Sequence, residues 1–145
     1  MQMQWNLGHD EAQAAIDAIR RELARRNQAA VIAVADADGE LVALLRLDTA
    51  PASSIAIACN KACTAARLRR PSRVLGESLR AKGAEIAWYG DPRYTGWSGG
   101  LPVIVDGNVV GAVAVSGLTE DDDVELAAIG VAAATGAITP GAASR

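Results

Sequence analysis

The stretch VIAVADADGELVALLRL, residues 31–47, decides the fold of this chain. Its first part, residues 31–35, is an unbroken apolar run, and residues 40–47 resume a strand pattern. Between them lies Asp-Ala-Asp-Gly, in which Gly39 can take the positive φ that a tight turn requires. Two apolar runs joined by such a turn are typical of an antiparallel hairpin. The chain is therefore predicted to build its sheet from hairpins.

A second hairpin is predicted over residues 101–116, where Asp106-Gly107-Asn108 separates two apolar runs. Helical patterns surround both hairpins, so that the element order is α, ββ, αα, ββ, α. This order predicts an α+β architecture with an antiparallel sheet and helices on at least one face. Helices are predicted over residues 11–27, 53–69, 73–82 and 120–135; residues 84–89 are ambiguous between helix and strand, and residues 91–100 form a loop.

Composition favours a single soluble cytoplasmic domain. The 145 residues carry a net charge of −3, which does not suit a nucleic-acid-binding protein because phosphate binding needs a basic surface. No apolar stretch is long enough to span a membrane as a helix, so no membrane partner is expected. Half of the residues are apolar, but none is Phe and most are small. Because few large side chains fill the core, we expect a homo-oligomer, either a dimer or a larger assembly.

Several motifs occur in a fixed order along the chain: residues 31–41, Leu45-Arg46-Leu47-Asp48, Lys61-Ala62-Cys63-Thr64-Ala65, Gly99-Gly100-Leu101-Pro102-Val103 and Val115-Ser116-Gly117. In these motifs the chain resembles the GlcG/HbpS family of haem-degrading, DUF336-like domains. The resemblance implies a profilin-like sandwich with an antiparallel sheet of about five strands covered by helices. It also implies one domain over residues 1–135, an oligomer, and haem or another small molecule as ligand. Residues 136–145, rich in Ala, Gly and Ser, are predicted to form a flexible tail.

Four aromatic residues cluster before the second hairpin: Trp88, Tyr89, Tyr94 and Trp97 lie within ten residues of one another. Such side chains offer flat apolar surface with a polar handle. They either compensate for a poor core and form a subunit interface, or they form a wall over a planar ligand whose carboxylate Arg93 binds. Under the second hypothesis the ligand-binding candidates are Arg93, Tyr94 and Trp97.

Charged residues form a second candidate group. Arg46 and Asp48 are predicted to share one strand face, and Lys61 lies on the next helix. These residues either form salt bridges that join helix to sheet, or they form a site. In a site, Arg46 and Asp48 would bind the ligand while Lys61 and Asp122 transfer protons. Two further ligand-binding candidates are the glycines whose N–H groups could approach a ligand, Gly99 and Gly100.

Haem would require an axial ligand such as His, Cys, Met or Tyr. The single histidine, His9, lies at the start of the first helix, where a capping or surface position is typical. The other candidate axial ligands are Tyr89, Tyr94, Cys59 and Cys63. Because the sequence has one His and two Cys, no structural zinc site or other metal site is predicted. Haem is therefore a candidate cofactor. Three functions are open. The protein binds a planar small molecule, or it is a cofactor-independent lyase or isomerase acting on an aromatic or carboxylated metabolite, or it is an oligomeric accessory subunit.

Overall fold

The structure is a computed structural model that describes residues 1–138. Within those residues the chain forms four α-helices, four strands and one short 3-10 helix. In chain order these are α1 (His9–Arg26), β1 (Val31–Asp36), β2 (Leu41–Arg46), α2 (Ser53–Leu68), α3 (Ser72–Lys82), the 3-10 helix (Ile86–Tyr89), β3 (Gly100–Val105), β4 (Asn108–Ser116) and α4 (Glu120–Ala137).

Helix boundaries follow local capping. The backbone N–H of Gly8 donates to the side chain of Glu11 at the start of α1, and Asn27 ends that helix in the left-handed region. At the start of α4 the Thr119 hydroxyl accepts from the N–H of Asp122. The predicted helices are confirmed to within a few residues at each end. Of the predicted flexible tail, residues 136 and 137 belong to α4, and residues 139–145 lie outside the described residues.

The four strands form one antiparallel sheet in the order β2-β1-β4-β3. Both predicted hairpins are present, and β1 and β4 pair with each other at the centre. The expectation of about five strands is wrong for the described residues, because the two hairpins supply all four. The ambiguous residues 84–89 add no strand, since Ile86–Tyr89 forms a 3-10 helix in which no residue is buried. Such a segment lacks the buried face that would hold it against the sheet.

Helices cover both faces of the sheet. On one face α1 and α4 pack over a core of larger side chains that includes Ile19, Ile32 and Leu126. On the other face α2 packs on the sheet almost entirely through alanines, among them Ala58 and Ala62. Because alanine is small, α2 lies close to the strands, and this closeness sets the geometry described next.

Candidate functional site

Lys61 forms a buried ion pair with Asp123. The Lys61 ammonium lies 2.9 Å from the Asp123 carboxylate and 2.9 Å from the carbonyl oxygen of Val115. Both side chains are only 3% exposed. The other carboxylate oxygen of Asp123 accepts from the N–H of Leu118. Burial raises the pKa of Asp123, although the hydrogen bond from Lys61 acts in the opposite direction. The pair therefore ties α2 to β4 and α4, and Lys61 presents no free surface to a substrate.

Gly99 and Gly100 make room for this ion pair and for α2. A Cβ atom on Gly99 would lie 2.7 Å from the Val115 carbonyl oxygen and 2.9 Å from Lys61 Nζ, and one on Gly100 would overlap the Lys61 carbonyl. The N–H of Gly100 donates to the Ser72 hydroxyl. The space beside these two glycines is thus filled by the protein's own atoms.

The other charged candidates lie apart from Lys61. Asp122 is partly exposed and points toward α1, where its carboxylate lies 4.0 Å from the Arg26 guanidinium. Strand β2 ends at Arg46, so Asp48 lies beyond the strand in an exposed turn and the predicted common face does not extend to it. The Arg46 guanidinium donates instead to the carbonyl oxygen of Ala50 at 2.9 and 3.0 Å. The structure therefore does not bring Arg46, Asp48, Lys61 and Asp122 into one site.

Arg93 is used within the protein. Its guanidinium bonds Asp91 at 3.0 Å and Glu40 at 3.1 Å, and Arg67 contacts the same two carboxylates. The side-chain hydrogen bond from Arg93, followed by its backbone N–H, holds the pKa of Asp91 far below its usual range. We call residues 91–99, which join the 3-10 helix to β3, the aromatic loop. We call the four charged residues the loop clasp, because they fix the start of the aromatic loop to α2 and to the first hairpin.

The end of the aromatic loop is fixed against α2 and α3. The Ser72 hydroxyl donates to the Trp97 carbonyl at 2.6 Å, and the Thr64 hydroxyl accepts from the N–H of Thr95. Gly76 and Gly96 touch through their backbones, where an added Cβ on either would lie 2.7 Å from the other residue. The backbone of the loop is thus held on both sides, while the Trp97 side chain remains 58% exposed.

A groove about 670 Å³ in volume lies between α3 and the loop, and we call it the aromatic groove. Arg73 and Arg80 stand two helical turns apart on one side of α3 and both line the groove. Among residues 1–138, no carboxylate lies within 4 Å of either guanidinium. The residues that line the aromatic groove are Arg73, Glu77, Arg80, Ile86, Tyr94, Thr95, Gly96, Trp97, Ser98 and Glu120.

Sequence reasoning identified Tyr94 and Trp97 but missed the two arginines of the groove. The seven-residue spacing of Arg73 and Arg80 is visible in the sequence and places them on one helix face. The sequence does not indicate that the aromatic loop folds back beside them. A second cleft of about 1400 Å³ runs beneath the N-terminal residues and includes Trp5, Arg67 and Tyr94. In that cleft the Arg67 guanidinium is already bound within the loop clasp, which leaves Arg69 as its arginine without an ion pair among residues 1–138, whereas the aromatic groove has two such arginines.

The candidate iron ligands are unequally placed. His9 lies at the first residue of α1 with its side chain 91% exposed, and it lines neither cleft. Cys63 is buried and Cys59 is partly buried, and burial raises the pKa of both thiols. Tyr94 lines both clefts and packs against Tyr89 with ring centroids 5.4 Å apart. Of the haem-ligand types, Tyr94 is the one that the aromatic groove contains.

Comparison with known proteins gives one consistent family. Residues 7–132 match the family model described as haem degrading protein HbpS-like. Protein GlcG of Escherichia coli is 38% identical over 110 residues, which cover 76% of this chain and 81% of GlcG. The crystal structure of Klebsiella pneumoniae protein ORFY, assigned to DUF336, has a TM-score of 0.85 at 29% identity, covering 93% of this chain and 94% of ORFY. That of a Streptomyces reticuli HbpS double mutant has a TM-score of 0.82 at 26% identity, covering 91% of this chain and 89% of HbpS.

Proposed function

This chain belongs to the HbpS-like family, and from that premise we propose that it binds a planar, carboxylate-bearing small molecule, haem or another tetrapyrrole, in the aromatic groove. The family model is named for haem degradation, which makes a tetrapyrrole the first ligand class to consider. We propose further that the protein acts in the cytoplasm. We also propose that it forms a homo-oligomer, because a core built largely of small side chains has few large side chains to stabilise a single chain.

One observation carries the proposal: the groove combines exposed aromatic surface with Arg73 and Arg80, neither of which forms an ion pair within the described residues, although Glu77 and Glu120 also line the groove. Its volume of about 670 Å³ lies within the roughly 300–1,000 Å³ of small-molecule sites. Arg73 and Arg80 would each bind a carboxylate by paired N–H donors, and Trp97 would lose its exposed face to the ligand ring. The loop is anchored before any ligand arrives, so little conformational entropy is lost on binding.

The residues present fit haem. Tyr94 would supply the axial oxygen, a ligand type that haem proteins use, and Arg73 and Arg80 would hold the propionates. Haem, when bound, would supply a redox-active iron. The chain itself would bind the ring, orient it against Trp97 and limit the access of water to one side.

The lyase or isomerase alternative has less support. It requires Lys61 to exchange a proton with a substrate, but the ammonium is buried and hydrogen-bonded to Asp123 and Val115. Asp122, the other residue of that hypothesis, faces α1.

Titration with haemin and with metal-free protoporphyrin tests the proposal. Wild-type protein should give a saturable Soret shift with haemin at a defined stoichiometry. Tyr94→Phe should change the haemin spectrum but keep protoporphyrin binding, because it removes only the iron ligand. Arg73→Gln/Arg80→Gln should weaken both ligands.

His9→Gln is the matched control, since its exposed imidazole lines neither cleft, and it should titrate like wild type. Absence of saturable binding to either tetrapyrrole would overturn the proposal. Loss of the spectrum in His9→Gln with retention in Tyr94→Phe would move the iron ligand to α1.

A further inference from the structure

The 3-10 helix Ile86–Tyr89 exposes a short apolar sequence at the surface. None of its four residues is buried, and Trp88 is 73% exposed. The chain enters it after Gly83 and leaves it at Gly90, both with positive φ, so the segment is set off from α3 and from the loop. Apolar side chains usually leave water when the fold allows it, and a contiguous exposed group of them indicates an interaction surface.

Two cations lie near one end of this apolar segment. Tyr89 borders a small groove that also contains Arg70, Ser78 and Lys82. Ile86, at the first position of the segment, borders the aromatic groove. Within the part of the chain that the structure describes, neither Arg70 nor Lys82 has a carboxylate within 4 Å. The exposed Glu85 precedes the segment, but Arg70 and Lys82 outnumber it, so a chain of net charge −3 carries a local excess of positive charge beside exposed aromatic residues.

We propose that this surface docks the protein on an anionic lipid bilayer. We call it the basic-aromatic face and define it as Arg70, Lys82, Ile86, Trp88 and Tyr89. Trp and Tyr rings favour the headgroup region, where one end of the ring is apolar and the other is hydrated. Arg70 and Lys82 would contact lipid phosphates while Trp88 enters the interface.

The charge of the face argues against a symmetric contact with a second copy. In an isologous dimer the same patch meets itself, so the positive charge of Arg70 and Lys82 on one copy would approach the same positive charge on the other, which opposes association. The exposed aliphatic Ile86 beside Trp88 also suits an acyl-chain boundary better than it suits stacking on nucleic-acid bases. An anionic lipid surface satisfies both the cations and the apolar group.

The docking is peripheral. No helix within residues 1–138 has both the length and the apolar character needed to cross a bilayer. The inference revises the expectation of no membrane partner, which considered only spanning segments. It goes beyond the proposed function, because the basic-aromatic face shares only Ile86 with the lining of the aromatic groove and contains none of the residues proposed to contact the ligand there.

Co-sedimentation of the full chain with sucrose-loaded vesicles tests the inference. We expect binding to vesicles of phosphatidylcholine with one quarter phosphatidylglycerol, weaker binding as NaCl rises, and little binding to phosphatidylcholine alone. Arg70→Gln/Lys82→Gln should weaken binding about 25-fold, from about fivefold for each cation removed near an anionic surface. Trp88→Ser should also release the protein from vesicles.

Two control variants match these changes elsewhere on the surface. Leu41→Ser removes an exposed apolar side chain from the edge strand β2, and Arg20→Gln/Arg21→Gln removes two exposed cations from α1. Both should bind vesicles like wild type. Equal binding to neutral and anionic vesicles, or no binding to either, would overturn the inference.

Two other occupants would give distinct results. If Trp88→Ser lowers the oligomeric state in gel filtration and the wild-type protein does not bind vesicles, the basic-aromatic face is a contact between copies of the chain. If a short single-stranded RNA binds and vesicles do not, the partner is a nucleic acid. Trp88→Ser should keep tetrapyrrole binding, so that failure of lipid docking and failure of the proposed ligand site are separately visible.

Discussion

Replacing Lys61 by Met tests the role of the buried ion pair. The substitution removes the ammonium that lies 2.9 Å from both the Asp123 carboxylate and the Val115 carbonyl. Asp123 would then remain buried with the N–H of Leu118 as its hydrogen-bond donor. Breaking one side of a buried pair costs about 3–5 kcal/mol, because the remaining charge is uncompensated. Lys61→Met should therefore lower the free energy of unfolding by about that amount and Tm by roughly 10 °C.

Urea unfolding followed by circular dichroism measures this loss. Lys61→Met/Asp123→Leu removes both charges and should recover stability to within about 1 kcal/mol of wild type. Lys82→Met is the control, since this lysine is exposed, and it should change stability by no more than about 0.5 kcal/mol. If Lys61→Met is as stable as wild type, the structural role assigned to Lys61 is wrong. Asp123→Asn, a milder change, serves if Lys61→Met does not fold.

Two further perturbations test the packing around the loop. Gly100→Ala places a methyl group against the Lys61 carbonyl and should lower the free energy of unfolding, measured in urea, by about 1–3 kcal/mol. Gly136→Ala, with open space around the added methyl group, should not destabilise the protein. Equal stability of the two variants would contradict the close approach of α2. Asp91→Asn should expose the aromatic loop to limited proteolysis, because it removes the carboxylate shared by Arg67 and Arg93. Arg93 lowers the pKa of Asp91, so the clasp is fully formed above the ordinary carboxyl pKa of about 4 and weakens only as pH falls through the lowered native value. Wild-type protection should thus be the same at pH 7 and pH 5, and a loop released already at pH 5 would refute this.

The sheet could be predicted from sequence because its signals are local. Each hairpin joins two apolar runs through a turn rich in Asp and Gly, and both hairpins form as predicted. The fifth strand came from the family resemblance, and no residue pattern required it. Residues 84–89 could not be assigned because a short apolar run fits a strand and a helix equally well.

The site depends on long-range contacts that periodicity does not encode. Three consecutive aspartates follow Glu120 in the first turn of α4, and only the rotation of that helix decides that Asp123, not Asp122, meets Lys61. The aromatic groove likewise exists because Gly96 packs on Gly76, twenty positions earlier in the chain. Glycine pairs are common in turns, so neither residue signals this contact.

A titration of one tryptophan tests the central claim, that a planar ligand lies in the aromatic groove. In Trp5→Phe/Trp88→Phe the remaining indole is Trp97, which lines the groove. Protoporphyrin should quench its emission saturably, and Arg73→Gln/Arg80→Gln in the same background should weaken the binding. Unchanged Trp97 emission, with quenching instead in the variant that retains Trp5 alone, would contradict the account and place the ligand in the larger cleft.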